Sequence, residues 1–513
     1  MRKFRKSPPK SITSEDTKPL ADSSVNLLQN NLKAIKENIG NSPDLIIREI
    51  KKFESPDTVF AVVHIDGLSD KNVIHSNIIQ PLTYLSKDIE IPDSDIGPYN
   101  QLETLLSVSS LVKTDQLEDT TAYLLSGDTV ILTQGSSSFL IATTGETASR
   151  SIEEPTSQTV IRGPKDSFTE NLRTNTSLVR SRIKSPHLKI GGVKLGKLTQ
   201  TNVEYMYIKG IIDPALLKEL EERIQTIEVD QILDSSYIEV LIQDHRESPF
   251  PTLISTERPD VVAANLLEGR FAVFVAGTPF VLIGPATFIQ FFQSPEDYYY
   301  NPYISTFLRG LRFISFFLSL YSPGLYIALL SHHAGLIPSL LVFSLAGQRE
   351  GVPFPIIVEA LIMEMAFEIL REAAVRMPRA VGNTISIVGA LIIGQAAVEA
   401  GLVSAATVIV VSITAIASFT LPNYNLSNTA RVLRFTLIIS GAYIGLYGIL
   451  LASIIILTHL CSLRSFGMPY IAPLAPFRLG KQKDAIVRTS LSPSPTATEN
   501  QRSSVGNGGD RDD

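Results

Sequence analysis

The sequence predicts two small α/β units followed by an α-helical polytopic membrane domain. Three observations carry that expectation. The chain of 513 residues is 44% hydrophobic with a mean hydropathy of +0.17, yet its apolar content is uneven. Residues 1–270 have the mix of a soluble protein, while 305–461 are dominated by apolar runs. Short β-branched runs closed by Gly-containing turns recur in the first part, the pattern of strands and hairpins. Residues 359–435 set a carboxylate-rich helix before two nearly uncharged spans and a polar Pro-Asn-Tyr-Asn-Leu-Ser-Asn turn. Ionisable residues so close to membrane spans are costly, which points to a conducting path or a specific assembly contact.

Residues 1–41 form a polar, basic tail expected to be disordered. Arg2, Lys3, Arg5 and Lys6 are followed by no apolar h-region, so this is not a secretory signal and the soluble part is expected in the cytoplasm. The first α/β unit, 42–150, opens at Pro43 with a helix running through Leu45–Ile50. Thr58–Ile65 reads as a buried strand, and Thr129–Thr133 with Phe139–Thr143 as a hairpin. The second unit, 151–294, has a helical pattern over Phe168–Ile183, a strand at Asn202–Ile208 and amphipathic helices from Pro214 and Ser235. Phe271 to Gln293 carries no charge and is long enough to span a bilayer. Gly277, Pro279, Gly284 and Pro285 would break such a helix twice. Two buried strands, Phe271–Val275 and Phe280–Ile283, and a surface helix over Thr287–Gln293 against the membrane domain are expected instead. A re-entrant segment is the alternative.

The tyrosines of Ser294–Tyr300 mark the junction and suit an interfacial belt. The membrane domain covers 295–465, with spans near 307–333, 381–401, 403–421 and 435–460 and a charged helix over 354–378. The tail, 466–513, is expected to be disordered from about residue 480 by its Ser, Pro, Thr, Asn and Gly content. If 355–371 crosses, the arginines at 371, 376, 379, 431 and 434 fall inside, as the positive-inside rule favours. Five crossings then leave the tail outside; four return it to the cytoplasm but move those arginines out. The sequence leaves both open.

At about 100° per residue, Glu364, Glu368, Arg371 and Glu372 fall within about one third of the helix circumference. The glutamates are spaced i, i+4 and would repel without cations, and Arg371 can pair with Glu368. A charge at mid-bilayer costs about 2.5–3.5 kcal/mol, so four facing lipid would cost on the order of 10 kcal/mol. The face must therefore meet protein or water. A water-filled cation path lined by carboxylates of several subunits is one reading; a closed salt-bridge network is the other. Gly389 and Gly394 thin one span, and Gly441-x-x-x-Gly445 allows close helix approach in the last.

The net charge of −6 argues against a nucleic-acid partner. A single cysteine, Cys461, excludes an intramolecular disulfide, and no Cys/His pattern suggests a metal or cofactor. Without a phosphate loop, a Gly-x-Ser-x-Gly elbow or a His-Glu-x-x-His helix, the chain is not expected to be an enzyme. His332-His333 sits at a span end and reads as interfacial.

Residues 359–435, with their Pro422, Asn423, Tyr424, Asn425, Ser427 and Asn428 turn, resemble the A subunit of GerA-type spore germinant receptors. So do 151–175, 232–244, 248–270, 277–299 and Arg349–Pro355. The resemblance spans about residues 45–480. It implies residence in the spore inner membrane, a transporter-like B subunit and a lipoprotein C subunit as partners, and a homo-oligomer around an ion-conducting pore opened by nutrients. A transporter subunit and a non-conducting scaffold are the alternatives. No inverted repeat of the kind transporters use is apparent between the halves of the membrane domain.

Overall fold

The structure, a computed structural model, describes residues 24–52, 58–88, 102, 105–145, 154–155, 157–376, 391–475, 484–485 and 487–488. The chain divides into two compact units, Met1–Ala148 with Lys184–Pro186, and Ser149–Ile183 with His187–Asp513.

The first unit is built on five antiparallel strands: β1 (Leu45–Lys51), β2 (Thr58–Ile65), β3 (Leu111–Thr114), β4 (Thr129–Thr133) and β5 (Phe139–Ala142). Their order is β1-β2-β4-β5-β3. Its larger helices are α1 (Ser24–Ile39), α2 (Gln80–Asp88) and α3 (Leu117–Ser126). Both faces of the sheet are covered. On β2, Ala61, Val63 and Ile65 pack with α1, while Phe60 and Val62 pack with Ile74, Ile78 and Leu82. Two expectations are corrected here. Residues 24–39, read as disordered tail, are helical because Leu28, Leu32, Ile35 and Ile39 form an i, i+4, i+7 stripe that is buried against the sheet. Leu45–Ile50, read as helix, is strand: its isoleucines alternate between faces and it pairs with β2 from Leu45↔Ile65 to Lys51↔Thr58.

The second unit carries another antiparallel sheet, β6 (Leu188–Leu195), β7 (Thr201–Ile208), β8 (Ile254–Thr256), β9 (Phe271–Val275) and β10 (Val281–Gly284), in the order β6-β7-β9-β10-β8. Its helices α4 (Leu172–Arg182), α5 (Pro214–Gln225) and α6 (Ser235–Ile242) start at Asn171, Asp213 and Asp234, whose side chains accept from the first backbone N–H groups. With α7 (Pro259–Leu267) they complete the layer around the sheet. The Phe271–Ile283 hairpin is present. The following segment is a 3-10 turn, Phe288–Phe292, rather than a surface helix. Phe291 and Phe292 are buried against Phe316 of the first bundle helix.

On α6, burial and the nearby Asp234 charge push the Glu239 carboxyl up to about 7 from its usual 4.5. The folded state therefore holds the proton more tightly than the unfolded chain. That stabilisation is complete below about pH 4.5 and is lost as pH rises toward about 7. Thermal melts of the full chain at about pH 5 and about pH 8 should show a smaller difference in Glu239→Gln than in the parent.

Beyond the junction, the larger helices among the described residues are α8 (Pro302–His332), α9 (Ser339–Arg349), α10 (Ile356–Arg376), α11 (Ala405–Phe419), α12 (Tyr424–Ile444) and α13 (Leu446–Ser462). Among the described residues, α8 is the one helix long and apolar enough to cross a membrane; α11 and α13 are shorter apolar helices. The expected span 435–460 is two helices, broken at Gly445 with φ +70°. A Cβ there would meet the His333 ring at 2.7 Å, so this glycine both turns the chain and sits at a close approach to the end of α8.

Pairings fix the helix directions. Arg434 of α12 bonds the Ser319 carbonyl and His332 bonds the Ala442 carbonyl, so α12 runs parallel to α8. Glu364–Arg434 and Glu368–Arg431 make α10 antiparallel to α12. Glu359–Ser404 and Arg371–Ser418 make α11 parallel to α10. The α12–α13 hairpin begins and ends beside the second sheet's loops, where Thr429 donates to the Pro249 carbonyl and His459 bonds Ser248 at 2.9 Å.

Gly441 lies at a close approach between α12 and α8. A Cβ on it would lie 2.7 Å from the Gly324 carbonyl oxygen of α8. Gly394 meets nothing within 4 Å, and Gly389 lies outside the described residues. Gly441→Ala should therefore cost about 1–3 kcal/mol through forced separation of α8 and α12, whereas Gly394→Ala should not destabilise. Melting of the two purified variants in detergent checks the contrast.

The chain just after α13 is ordered, within the stretch ahead of residue 480 where no disorder is expected. Arg464–Ser465 and Met468–Pro469 form a small hairpin that inserts Phe466 into the second sheet's core beside Phe271. The Phe466 N–H donates to Asp244 at 2.6 Å, and Arg223 lies over its ring. Further on, Asp484 and Arg488 make defined contacts in a stretch read as disordered from its composition.

Candidate functional site: a buried charged ladder

Helix α10 starts after Pro353 and Pro355 and carries four glutamates and two arginines. At its first turn, Glu359 is fully buried. One carboxylate oxygen accepts from the Ser404 N–H at 2.5 Å and the Ser404 hydroxyl at 2.6 Å. Ser404 is the N-cap of α11, so this charge meets a helix N-terminus, where negative charge is stabilised. Ser404 continues to Thr407 at 3.0 Å and Thr407 to the Tyr326 hydroxyl at 3.2 Å. Arg349 Nε stands 3.5 Å from the other carboxylate oxygen of Glu359.

Midway along α10, Glu364 is fully buried and pairs with Arg434 at 2.8 Å; both side chains are at most 1% exposed. Arg434 also donates Nε to the Ser319 carbonyl at 2.7 Å. Lower still, Glu368 accepts from Arg431 at 3.1 Å and lies 3.8 Å from Arg371. Arg371 donates to the Ser418 hydroxyl and stacks on the Phe419 ring at 4.6 Å. Glu359 Oε2, Glu364 Oε1 and Glu368 Oε1 are each buried without a hydrogen-bond partner.

The structure thus brings three of the four expected charged residues, Glu364, Glu368 and Arg371, into the bundle interior. It leaves Glu372 outside, exposed and paired with Arg376 at 2.7 Å. Glu372 lies about one helical turn beyond Glu368, toward the end of α10. Glu359, Ser404, Arg431 and Arg434 belong to the same ladder but were not among the expected residues. The signal lay in Arg431 and Arg434, spaced by three on the helix after the polar turn, which match glutamates spaced by four on α10. In the turn itself, Asn423 caps α12 by accepting from Asn425 and Leu426. Ser427 donates to the Ser418 carbonyl, and Asn428 accepts from Arg431. Pro422 follows the end of α11, and Tyr424 is 60% exposed.

A second buried cluster sits at the start of α8. Asp297, fully buried, binds Arg309 at 2.9 Å and Arg312 at 2.8 Å. Asp484 adds a contact to Arg309 at 3.3 Å and to the Tyr298 hydroxyl at 3.0 Å. Among the described residues there is no group of three or more His, Cys, Asp or Glu that could hold a metal.

Outside, the bundle is apolar. Phe307, Ile314 and Phe317 on α8, Ile369 on α10, Ile416 on α11 and Ile455 on α13 are all more than half exposed. Contiguous apolar surface of this extent needs a cover. Fold and site together define a class: α/β units carried ahead of a helical part that is apolar outside and ion-paired within.

The family model described as Bacillus/Clostridium GerA spore germination protein matches residues 33–499. The chain is 49% identical to spore germination protein KA of Bacillus subtilis (strain 168), over 90% of this chain and 84% of that one. It is 46% identical to the uncharacterized membrane protein YfkQ of the same organism, over 83% and 82%. The solved N-terminal domain of the A subunit of the Bacillus megaterium spore germinant receptor GerK3 is 38% identical. It aligns with a TM-score of 0.40 over 52% of this chain and 97% of that domain. The chain belongs to the GerA family of spore germination proteins.

Proposed function

We propose that this chain is the A-type subunit of a nutrient germinant receptor in the spore inner membrane. Its partners are a transporter-like B subunit and a lipoprotein C subunit, and it oligomerises into a nutrient-gated ion channel. The observation that carries the reading is the ladder of Glu359, Glu364 and Glu368 with their arginines, buried inside helices whose outer faces are apolar. Ionisable residues placed that way in a membrane mark ion paths or the locks that close them. In this reading the Glu364–Arg434 and Glu368–Arg431 pairs hold the closed state, and nutrient binding favours an arrangement in which they part.

The helix directions support six crossings: α8 outward, α10 inward, α11 inward, α12 outward and α13 inward, with the remaining one in the expected span 381–401, whose first ten residues lie outside the described ones. Arg376 and Ser404 lie at opposite ends of the bundle, so the chain between them has the bundle's length to cover. Six crossings leave the tail on the side of the second sheet, in the cytoplasm. Arg371, Arg376 and Arg431 lie toward that same side, as the positive-inside rule favours.

Cation flux tests the function. The chain reconstituted in liposomes with its B and C partners should pass monovalent cations on nutrient addition. Glu364→Gln and Glu368→Gln should each change the unstimulated flux at unchanged protein level. Unaltered flux in both variants would remove the ladder from the conduction machinery.

A further inference from the structure

A cavity of about 430 Å³ opens in the second unit, where the sheet meets the ends of the bundle helices. Its walls include residues 157–160, α7, the turns ahead of α8, and the Phe419–Asn423 turn between α11 and α12. Four charged side chains line it: Arg270, Arg312, Asp260 and Glu268. Their charges are not equally available. Asp260 is engaged on both oxygens, by Arg258 at 3.1 and 2.7 Å and by the Tyr299 hydroxyl at 2.8 Å.

Arg312 has to share Asp297 with Arg309, so one buried carboxylate serves two guanidinium groups. Arg309 Nη2 is buried with no hydrogen-bond partner, and the additional Asp484 is 42% exposed. Arg270 is opposed by Glu268 at 3.2 Å, whose side chain is 52% exposed. Burial lowers the Arg270 pKa more than Glu268 raises it. Arg270, half-buried, also donates to the Asn265 amide oxygen at 2.5 Å. Counting Arg258 and Arg309 behind the wall, the region holds more buried or half-buried guanidinium charge than the buried carboxylates Asp260 and Asp297 can meet. Gln290 and Asn423 add amide groups around the same space.

We propose that this cavity binds a phosphate-bearing anion between Arg270 and Arg312, supplied by the headgroup of an anionic phospholipid. Guanidinium groups suit phosphate because their fork matches its oxygens. The volume falls in the range of small-ligand pockets, about 300–1,000 Å³. The lipid source rests on the membrane reading above, which sets the α11–α12 turn at the cytoplasmic interface, where basic pockets between helices take anionic headgroups. The anion site itself rests on the cavity alone. Occupancy would tie the second sheet to α8 and to the turn that opens α12.

The full chain is placed in nanodiscs of phosphatidylcholine, with or without about one third phosphatidylglycerol, and its melting midpoint is measured. A third arm adds glycerol 3-phosphate to the phosphatidylcholine discs. Two variants accompany the parent. Arg270→Gln removes one receiver, and Ala264→Trp fills the cavity from an exposed wall position while leaving every charge in place. The expected result is a midpoint raised by phosphatidylglycerol in the parent, with that rise reduced in Arg270→Gln and abolished in Ala264→Trp. A rise with glycerol 3-phosphate that both variants lose would keep the anion site and make its ligand soluble. No rise in either arm, or one that survives both variants, overturns the proposal. Liposome flux is unaffected by that failure, so the two readings stand or fall separately.

Discussion

Arg434→Ala should destabilise the helical part by about 3–5 kcal/mol, because it strands the Glu364 carboxylate in the bundle interior. Both partners are at most 1% exposed, so water cannot take over the lost contact. The Ser319 carbonyl loses its donor as well. Glu364→Gln combined with Arg434→Met should recover much of that loss, since an apolar or neutral replacement of a whole buried pair is often close to neutral. The double variant would then separate folding from gating. If the pair is the lock of the channel proposed above, the double variant should accumulate in the membrane like the parent yet leak cations without nutrient. Melting midpoints in detergent and unstimulated flux in liposomes report the two effects. Equal instability of the single and double variants would mean that the pair contributes packing and not charge balance.

Asp297→Ala should be as damaging, also by about 3–5 kcal/mol, because it leaves two guanidinium groups without their shared carboxylate at the base of α8. Arg309 is fully buried and Arg312 nearly so. Asp484→Ala removes a contact to the same Arg309 from a position 42% exposed. It should cost only about 0–1 kcal/mol, as solvent-exposed ion pairs do. Expression and melting of the two variants side by side check the ranking. A larger loss from Asp484→Ala would mean that the C-terminal segment, and not Asp297, holds the start of α8.

Periodicity made much of this fold legible. Strands β2 and β7 and the β4–β5 and β9–β10 hairpins follow from β-branched runs and turn residues within a few positions of one another. Helix α10 follows from its prolines and its i, i+4 glutamates. What stayed hidden depends on contacts between distant residues. Glu364 and Glu368 could be assigned to one face, but their partners lie on α12, and composition gives arginines a topological meaning before a pairing one. The Gly445 break is invisible in an apolar run, because a glycine there reads equally well as helix packing. Helix α1 was obscured by the polar residues before it, although Leu28, Leu32, Ile35 and Ile39 carry the period. Phe466 follows the last apolar run, where an aromatic residue signals nothing unless the core that receives it is known.

The Phe466 insertion has a mechanical consequence. Helix α13 leads into the hairpin whose phenylalanine is seated in the second sheet, and α8 grows from turns whose Phe291 and Phe292 are packed at the same base. The first and last bundle helices are therefore two arms of one lever whose fulcrum is the sheet. Helix α8, with 31 residues, is about 46 Å long at about 1.5 Å per residue. A rocking of the sheet by about 5° would sweep the far end of α8, near His332, through about 4 Å over that length. Among the described residues, none of α10 or α11 belongs to the core clusters of the second sheet, so the relative displacement would be taken up along the ion pairs between α10 and α12.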